Sequence, residues 1–135
     1  MPLAVGRLVH VGDHVDDPSI VRTIYNRRVG ISRAELSAVL AAGQRPVVFD
    51  VRSATEFARG HVPGARHLPF WTPGWPPLAA SLPADTAIVV YCGYGPRAWC
   101  AAMRLRRRGF TSVHCLRGHM QGWRRAGLHE ERSAG

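Results

Sequence analysis

Apolar residues come along this chain in short blocks without alternation, and the stretches between them carry the marks of helix starts and stops. The strongest block, Ala87-Ile88-Val89-Val90-Tyr91, has no charged residue to turn toward water, so it predicts a strand buried on both faces, as in a parallel sheet. Val47-Val48-Phe49-Asp50-Val51 predicts a second strand ending in charge, Arg66 to Leu68 a short third, and Ser112 to Leu116 a further one. Ser32-Arg33-Ala34-Glu35 is a capping box, which predicts a helix over about 33–42 that Gly43 stops. Ser53-Ala54-Thr55-Glu56 repeats the box ahead of a helix of one to two turns closed by Gly60. Arg97 to Arg108 predicts a longer helix ended by Gly109-Phe110, and Gly118 opens a last one through Trp123 that Gly127 stops.

Strands that alternate with helices predict an α/β layer fold, with a mainly parallel sheet, helices on both faces and ligands at the carboxyl ends of the strands. Residues 31–129 form the expected domain, with residues 1–30 as an N-terminal extension and 130–135 as a C-terminal tail. Pro69 to Pro83 holds five prolines and two tryptophans and predicts an irregular connection, with helix only around Leu78 to Ser81.

Composition narrows the class. A chain of 135 residues with 46% hydrophobic content can bury one core and little more. Its beginning lacks the charged-then-apolar pattern of a signal peptide, and no run approaches the roughly 18 apolar residues of a membrane span. Three cysteines with no C-x-x-C pair favour neither a disulfide framework nor a zinc site. The expectation is a cytoplasmic protein without membrane contact. His10, Asp13, His14, Asp16 and Asp17 are read as a solvated loop, because Gly12 interrupts any common face. The net charge of +9, carried by 18 arginines and no lysine, favours anionic substrates or acidic partner surfaces. No nucleic-acid recognition motif accompanies it. Arg104, Arg106, Arg107 and Arg108 read as a solvated face that complements the negative end of their helix.

The chemistry concentrates where the strongest apolar block ends, at Cys92-Gly93-Tyr94-Gly95-Pro96-Arg97-Ala98. Glycines let the backbone curl, successive N–H groups in such a turn converge, and the positive end of the following helix adds to their field. A thiolate placed there is stabilised, and nearby arginine adds to the effect, so Cys92 reads as an ionised nucleophile exposed to small molecules. Gly93, Tyr94, Gly95, Arg97 and Ala98 can offer amides, and the Arg97 fork suits the oxygens of an anionic substrate. Cys100 and Cys115 read as core thiols. Asp50 and Arg52 end a second strand; the residues leave open whether Arg52 binds substrate with Asp50 supporting it, or whether the two form a turn-stabilising pair.

On these motifs the chain resembles the rhodanese-like domain family over about residues 31–129. Asp50-Val51-Arg52, Glu56-Phe57 and Gly60-His61-Val62-Pro63-Gly64-Ala65 are similar to its early signatures. Cys92-Gly93-Tyr94-Gly95-Pro96-Arg97 resembles its C-x-x-G-x-R loop, and Gly109-Phe110, Leu116-Arg117-Gly118 and Trp123 to Gly127 its closing segment. The resemblance implies a five-stranded sheet and sulfurtransferase chemistry, with no metal and no organic cofactor. Cys92 would take a sulfane sulfur from a small anionic donor such as thiosulfate and pass it from a persulfide to cyanide, a thiol or a protein acceptor. Three departures stand out: Pro96 has no N–H, Tyr94 puts a bulky ring where the family often has a small hydroxyl residue, and His119 follows Gly118 where a second glycine is usual. Related phosphatases and arsenate reductases use a loop one residue longer, C-x5-R, around a tetrahedral oxyanion. The other readings left open are an interaction module without catalysis and a relay that hands sulfur to a dedicated protein. His61, His67, His114 and His129 receive no catalytic role, and no general base is assigned.

Overall fold

The computed structural model describes residues 30–44, 46–69, 71 and 81–133. The elements run α1 (Arg33–Ala41), β1 (Val47–Asp50), α2 (Ala54–Arg59), β2 (Arg66–His67), β3 (Ala87–Tyr91), α3 (Pro96–Arg107), β4 (Ser112–Cys115) and α4 (His119–Arg125). Both predicted capping boxes are formed, Ser32 with Glu35 and Ser53 with Glu56. The expected extension over residues 1–30, its candidate metal set and the helix near Leu78 fall almost wholly outside the described residues. At the other end, Glu131 pairs with His61 in an antiparallel bridge and the Trp123 indole donates to the His129 carbonyl, which ties residues 129–131 to the domain.

All strand pairs are parallel, in the order β2-β1-β3-β4. The described sheet thus has four strands rather than five. Beyond β4, among the described residues, only Ile31 takes a fifth position; it donates to the Cys115 carbonyl at 3.0 Å and accepts from the Arg117 amide at 2.9 Å. Ser32 then caps α1, so this pairing does not continue past Ile31 toward the C-terminus.

The missing alternation in β1 and β3 follows from two cores, one on each face of the sheet. Val47, Phe49, Ile88 and Val90 pack with Ala98, Ala101, Ala102 and Leu105 of α3. Val48, Val89 and Tyr91 turn the other way, toward Leu36 and Val39 of α1 and Met120 and Trp123 of α4. Side chains alternate across a strand, so both parities must be apolar when both faces are covered. Cys92 continues the parity of Ile88 and Val90 and belongs to the α3 side.

The same geometry corrects the reading of Cys100, which is exposed rather than packed in the core. At about 100° per residue, Cys100 lies some 200° around α3 from buried Ala98. Cys115 is half-buried, and burial raises its thiol above the ordinary value. Of the predicted basic face, Arg106, Arg107 and Arg108 are exposed at the end of α3, whereas Arg104 is half-buried, and Arg106 Nη2 donates to the Val113 carbonyl at 2.9 Å.

Candidate active site

The carboxyl ends of β1 and β3 lie side by side, with Asp50 in register with Tyr91. One strand therefore delivers Asp50 and Arg52, and the other delivers Cys92, to the same edge of the sheet. What each does there differs.

Arg52 is buried and turned inward. Its Nε donates to both Asp50 carboxylate oxygens at 3.0 and 3.1 Å, and Nη2 donates to Asp50 at 2.7 Å and to the Gly60 carbonyl at 2.7 Å. The Arg52 amide also donates to Asp50. The guanidinium carbon stands 5.7 Å from the centroid of the Tyr91 ring, whose hydroxyl accepts the Val62 amide at 3.0 Å. Burial and the neighbouring Asp50 charge raise the Tyr91 phenol well above its ordinary value, so it stays neutral. With Arg52 only 2% exposed, the structure places it in the foundation of the site, where the sequence also offered it as a substrate contact. Asp50 is its partner and the support beneath Tyr91.

Cys92 follows Tyr91 directly, and the chain wraps over its sulfur. The Gly95 amide donates to Sγ at 2.9 Å, and the Ala98 amide adds a further hydrogen bond from the first turn of α3. Gly95 makes the wrap possible with φ of 144°, a conformation that side-chain-bearing residues avoid, and Pro96 then starts the helix where its missing N–H costs nothing. Of the five amides expected around the sulfur, those of Gly93, Tyr94 and Arg97 do not reach it. The loop is braced from the other side by α4: Met120 donates to the Cys92 carbonyl at 2.9 Å and Gln121 to the Gly93 carbonyl at 3.2 Å.

Burial pushes the Cys92 thiol up, but a hydrogen bond with His119 and the amides of Ala98 and Gly95 pull it down further. The net position is about 7, against an ordinary 9.0. The expected exposure is not found: Cys92 is 0% exposed, whereas Tyr94 in the same loop is 74% exposed. The sulfur lies under its loop, so a reactant meets it only when the cover moves.

Arg97 does not reach toward solvent as a free fork. Nη1 and Nη2 donate to the two Glu56 oxygens at 2.6 and 3.1 Å, a bidentate pair that holds Glu56 down at about 2. Arg97 Nη2 would stand 3.2 Å from a Cβ on Gly93, so the guanidinium lies against the loop and only a small residue fits beneath it. Glu56 thus serves twice, as the box residue of α2 and as the anchor of Arg97. Sequence gave the first role only, because nothing in its spacing links positions 56 and 97.

His119 is the residue the sequence reading undervalued. It has φ of 52°, alone in that region among described non-glycine residues, and its Nδ1 accepts the Cys92 amide at 3.2 Å. The available signal was a side chain at a turn position where glycine is usual. Other histidines have structural places: His61 stacks on Phe57 with ring centroids 3.8 Å apart, and His67 Nε2 lies 2.8 Å from the Arg52 carbonyl. Among the described residues, no cluster of three or more His, Cys, Asp or Glu could hold a metal, and no helix is long and apolar enough to cross a membrane.

Known proteins resemble this chain in sequence and in fold. The sequence profile of the rhodanese-like domain matches residues 32–126. A sulfurtransferase of Allochromatium vinosum is 34% identical over 98 residues, which cover 73% of this chain and 90% of that protein. The thiosulfate sulfurtransferase GlpE of Stutzerimonas stutzeri is 35% identical over 78 residues, covering 58% of this chain and 70% of its own. Among solved structures, a thiosulfate sulfurtransferase of Pseudomonas aeruginosa superposes with a TM-score of 0.69 at 31% identity, over 78% of this chain and 20% of that one.

Proposed function

This chain belongs to the rhodanese-like domain family, and on that premise we propose that it is a sulfurtransferase whose Cys92 carries a sulfane sulfur as a persulfide. The observation that carries the reading is the Gly95 amide donating to Cys92 Sγ at 2.9 Å, at the end of a parallel strand and the start of a helix. The relatives support sulfurtransferase activity, and we assign thiosulfate as donor and cyanide or a thiol as acceptor.

The Cys92 thiolate attacks the outer sulfur of thiosulfate. A sulfur–sulfur bond forms to Sγ, the bond inside thiosulfate breaks, and its electron pair leaves with sulfite. The outer sulfur of the resulting persulfide anion is then attacked by cyanide, releasing thiocyanate and returning the Cys92 thiolate; a thiol acceptor would instead leave as a persulfide. Charge is conserved in each step, and no cofactor is required. Main-chain amides stabilise the negative sulfur that both steps share, without reorganising as charge moves. Arg97 and Glu56 pin the loop, and the Asp50, Arg52 and Tyr91 network fixes the strand end below it. Because Sγ is covered at rest, the loop over it must yield for a donor to enter.

The test is thiocyanate formation from thiosulfate and cyanide, with Cys92→Ser as control. Turnover lost in the variant supports the reading. Turnover retained in the variant refutes it. Inactivity with thiosulfate, 3-mercaptopyruvate and a protein persulfide donor alike leaves a non-catalytic interaction domain, and hydrolysis of aryl phosphates lost in Cys92→Ser would assign phosphatase chemistry instead.

A further inference from the structure

The imidazole of His119 lies across the Cys92 loop. Nδ1 accepts the Cys92 amide at 3.2 Å and stands 4.0 Å from Cys92 Sγ. The other ring nitrogen faces Gly95, where a Cβ would come within 3.4 Å of Nε2. A nitrogen that accepts an amide hydrogen carries a lone pair and no proton, so the proton of the neutral ring is on Nε2. This lone pair therefore sits between the amide and the sulfur of the same residue. To present it, His119 holds φ of 52°, which a glycine at this turn would adopt without strain.

From this geometry we infer that His119 is the proton acceptor for the Cys92 thiol. The S–H bond breaks with its electron pair left on Sγ, and the Nδ1 lone pair takes the proton. The products are a thiolate held by the Gly95 and Ala98 amides and an imidazolium whose Nδ1, 4.0 Å from the sulfur, changes from acceptor of the Cys92 amide to donor toward the thiolate. Electrons and protons balance within the two side chains, and imidazole is the base suited to this exchange near neutral pH.

The surrounding ionisable groups do not offer this route. Arg97 is a permanent cation engaged by Glu56, Arg52 is engaged by Asp50, and Cys115 is a thiol raised by burial. Arg33 approaches Gly118 and Gly122 at the start of α4, within 3.4 Å of a Cβ at either position, and can only add positive charge. The inference deepens the sulfurtransferase reading, since it names the group that arms its nucleophile, but its test needs no sulfur transfer.

The measurement is the rate of Cys92 alkylation by iodoacetamide against pH, read on the Cys92 peptide by mass so that exposed Cys100 does not interfere. The cover over Sγ scales the rate at every pH and leaves the midpoint unmoved. Wild-type protein is expected to titrate near about 7. His119→Asn accepts the Cys92 amide and tolerates the left-handed conformation but takes no proton, and His119→Gly removes ring and strain together. In both, the midpoint should rise toward the free-thiol value of about 8.5, cutting the rate at pH 7 by about 15-fold. A midpoint unchanged in His119→Asn overturns the inference and leaves the ring as a turn filler. A raised midpoint in a protein that no donor loads would sink the sulfurtransferase reading while the proton role stands.

Discussion

Replacing Arg52 by methionine separates a foundation from a substrate contact. The Asp50 carboxylate is buried at 0% exposure and receives three side-chain contacts from Arg52, at 2.7, 3.0 and 3.1 Å, beside the amide of residue 52. Arg52→Met fills most of the space but strands that carboxylate, and the Gly60 carbonyl loses a donor at 2.7 Å. Breaking a buried pair from one side costs about 3–5 kcal/mol, because a charge is left without its partner. At about 2 kcal/mol per molar of urea, the unfolding midpoint should fall by about 2 M. Adding Asp50→Asn removes the stranded charge and keeps an oxygen for the residue 52 amide, so the double variant should recover about half of the loss. Urea denaturation followed by tryptophan fluorescence measures both. A single variant within about 1 kcal/mol of wild type, accompanied by weaker thiosulfate binding, would refute the structural assignment and return Arg52 to the substrate.

Three further outcomes are expected. Cys92 is an acid whose value is lowered on folding, from 9.0 to about 7, so the thiolate and the stability it contributes are lost as pH falls through 7; sulfur loading should rise about tenfold from pH 6 to pH 8 and level off above, and a profile still climbing toward pH 9 would contradict it. Glu56→Gln keeps an acceptor for the α2 cap but loosens Arg97; stability should drop by less than about 1 kcal/mol because the pair is part-exposed, while loading slows by about tenfold as the loop loses its brace. Gly95→Ala forces a side chain into φ of 144° against the His119 ring, so a chemical melt should show a loss of about 1–3 kcal/mol and loading should fall with it.

What the sequence made legible was local. Apolar blocks of both parities marked β1 and β3 as doubly covered strands, and two serine-to-glutamate boxes fixed the starts of α1 and α2 within a residue. The C-x-x-G-x-R spacing singled out Cys92 and the glycine that lets an amide reach it. What stayed hidden depends on contacts between distant positions: Glu56 meets Arg97 41 residues on, and His119 meets Cys92 27 residues back. Such pairs are set by which strand ends are neighbours, and no periodicity records that. One error came from treating residue type as location: Cys100 is a cysteine among alanines and leucines yet lies on the outer arc of α3. For Arg52 two readings stood open, and its pairing with Asp50 at 2% exposure matches the ion pair. The exposed sulfur was a second error: forming the amide wrap around Cys92 also covers it.

The central claim is that a sulfur atom rests on Cys92 during turnover. Incubation with thiosulfate, removal of excess donor and intact-mass measurement test it directly, with peptide mapping to locate the addition. A gain of one sulfur is expected on the peptide bearing Cys92, absent in Cys92→Ser, retained in Cys100→Ser and discharged by cyanide. An unchanged mass with every sulfane donor, or an addition confined to Cys100 or Cys115, would contradict it.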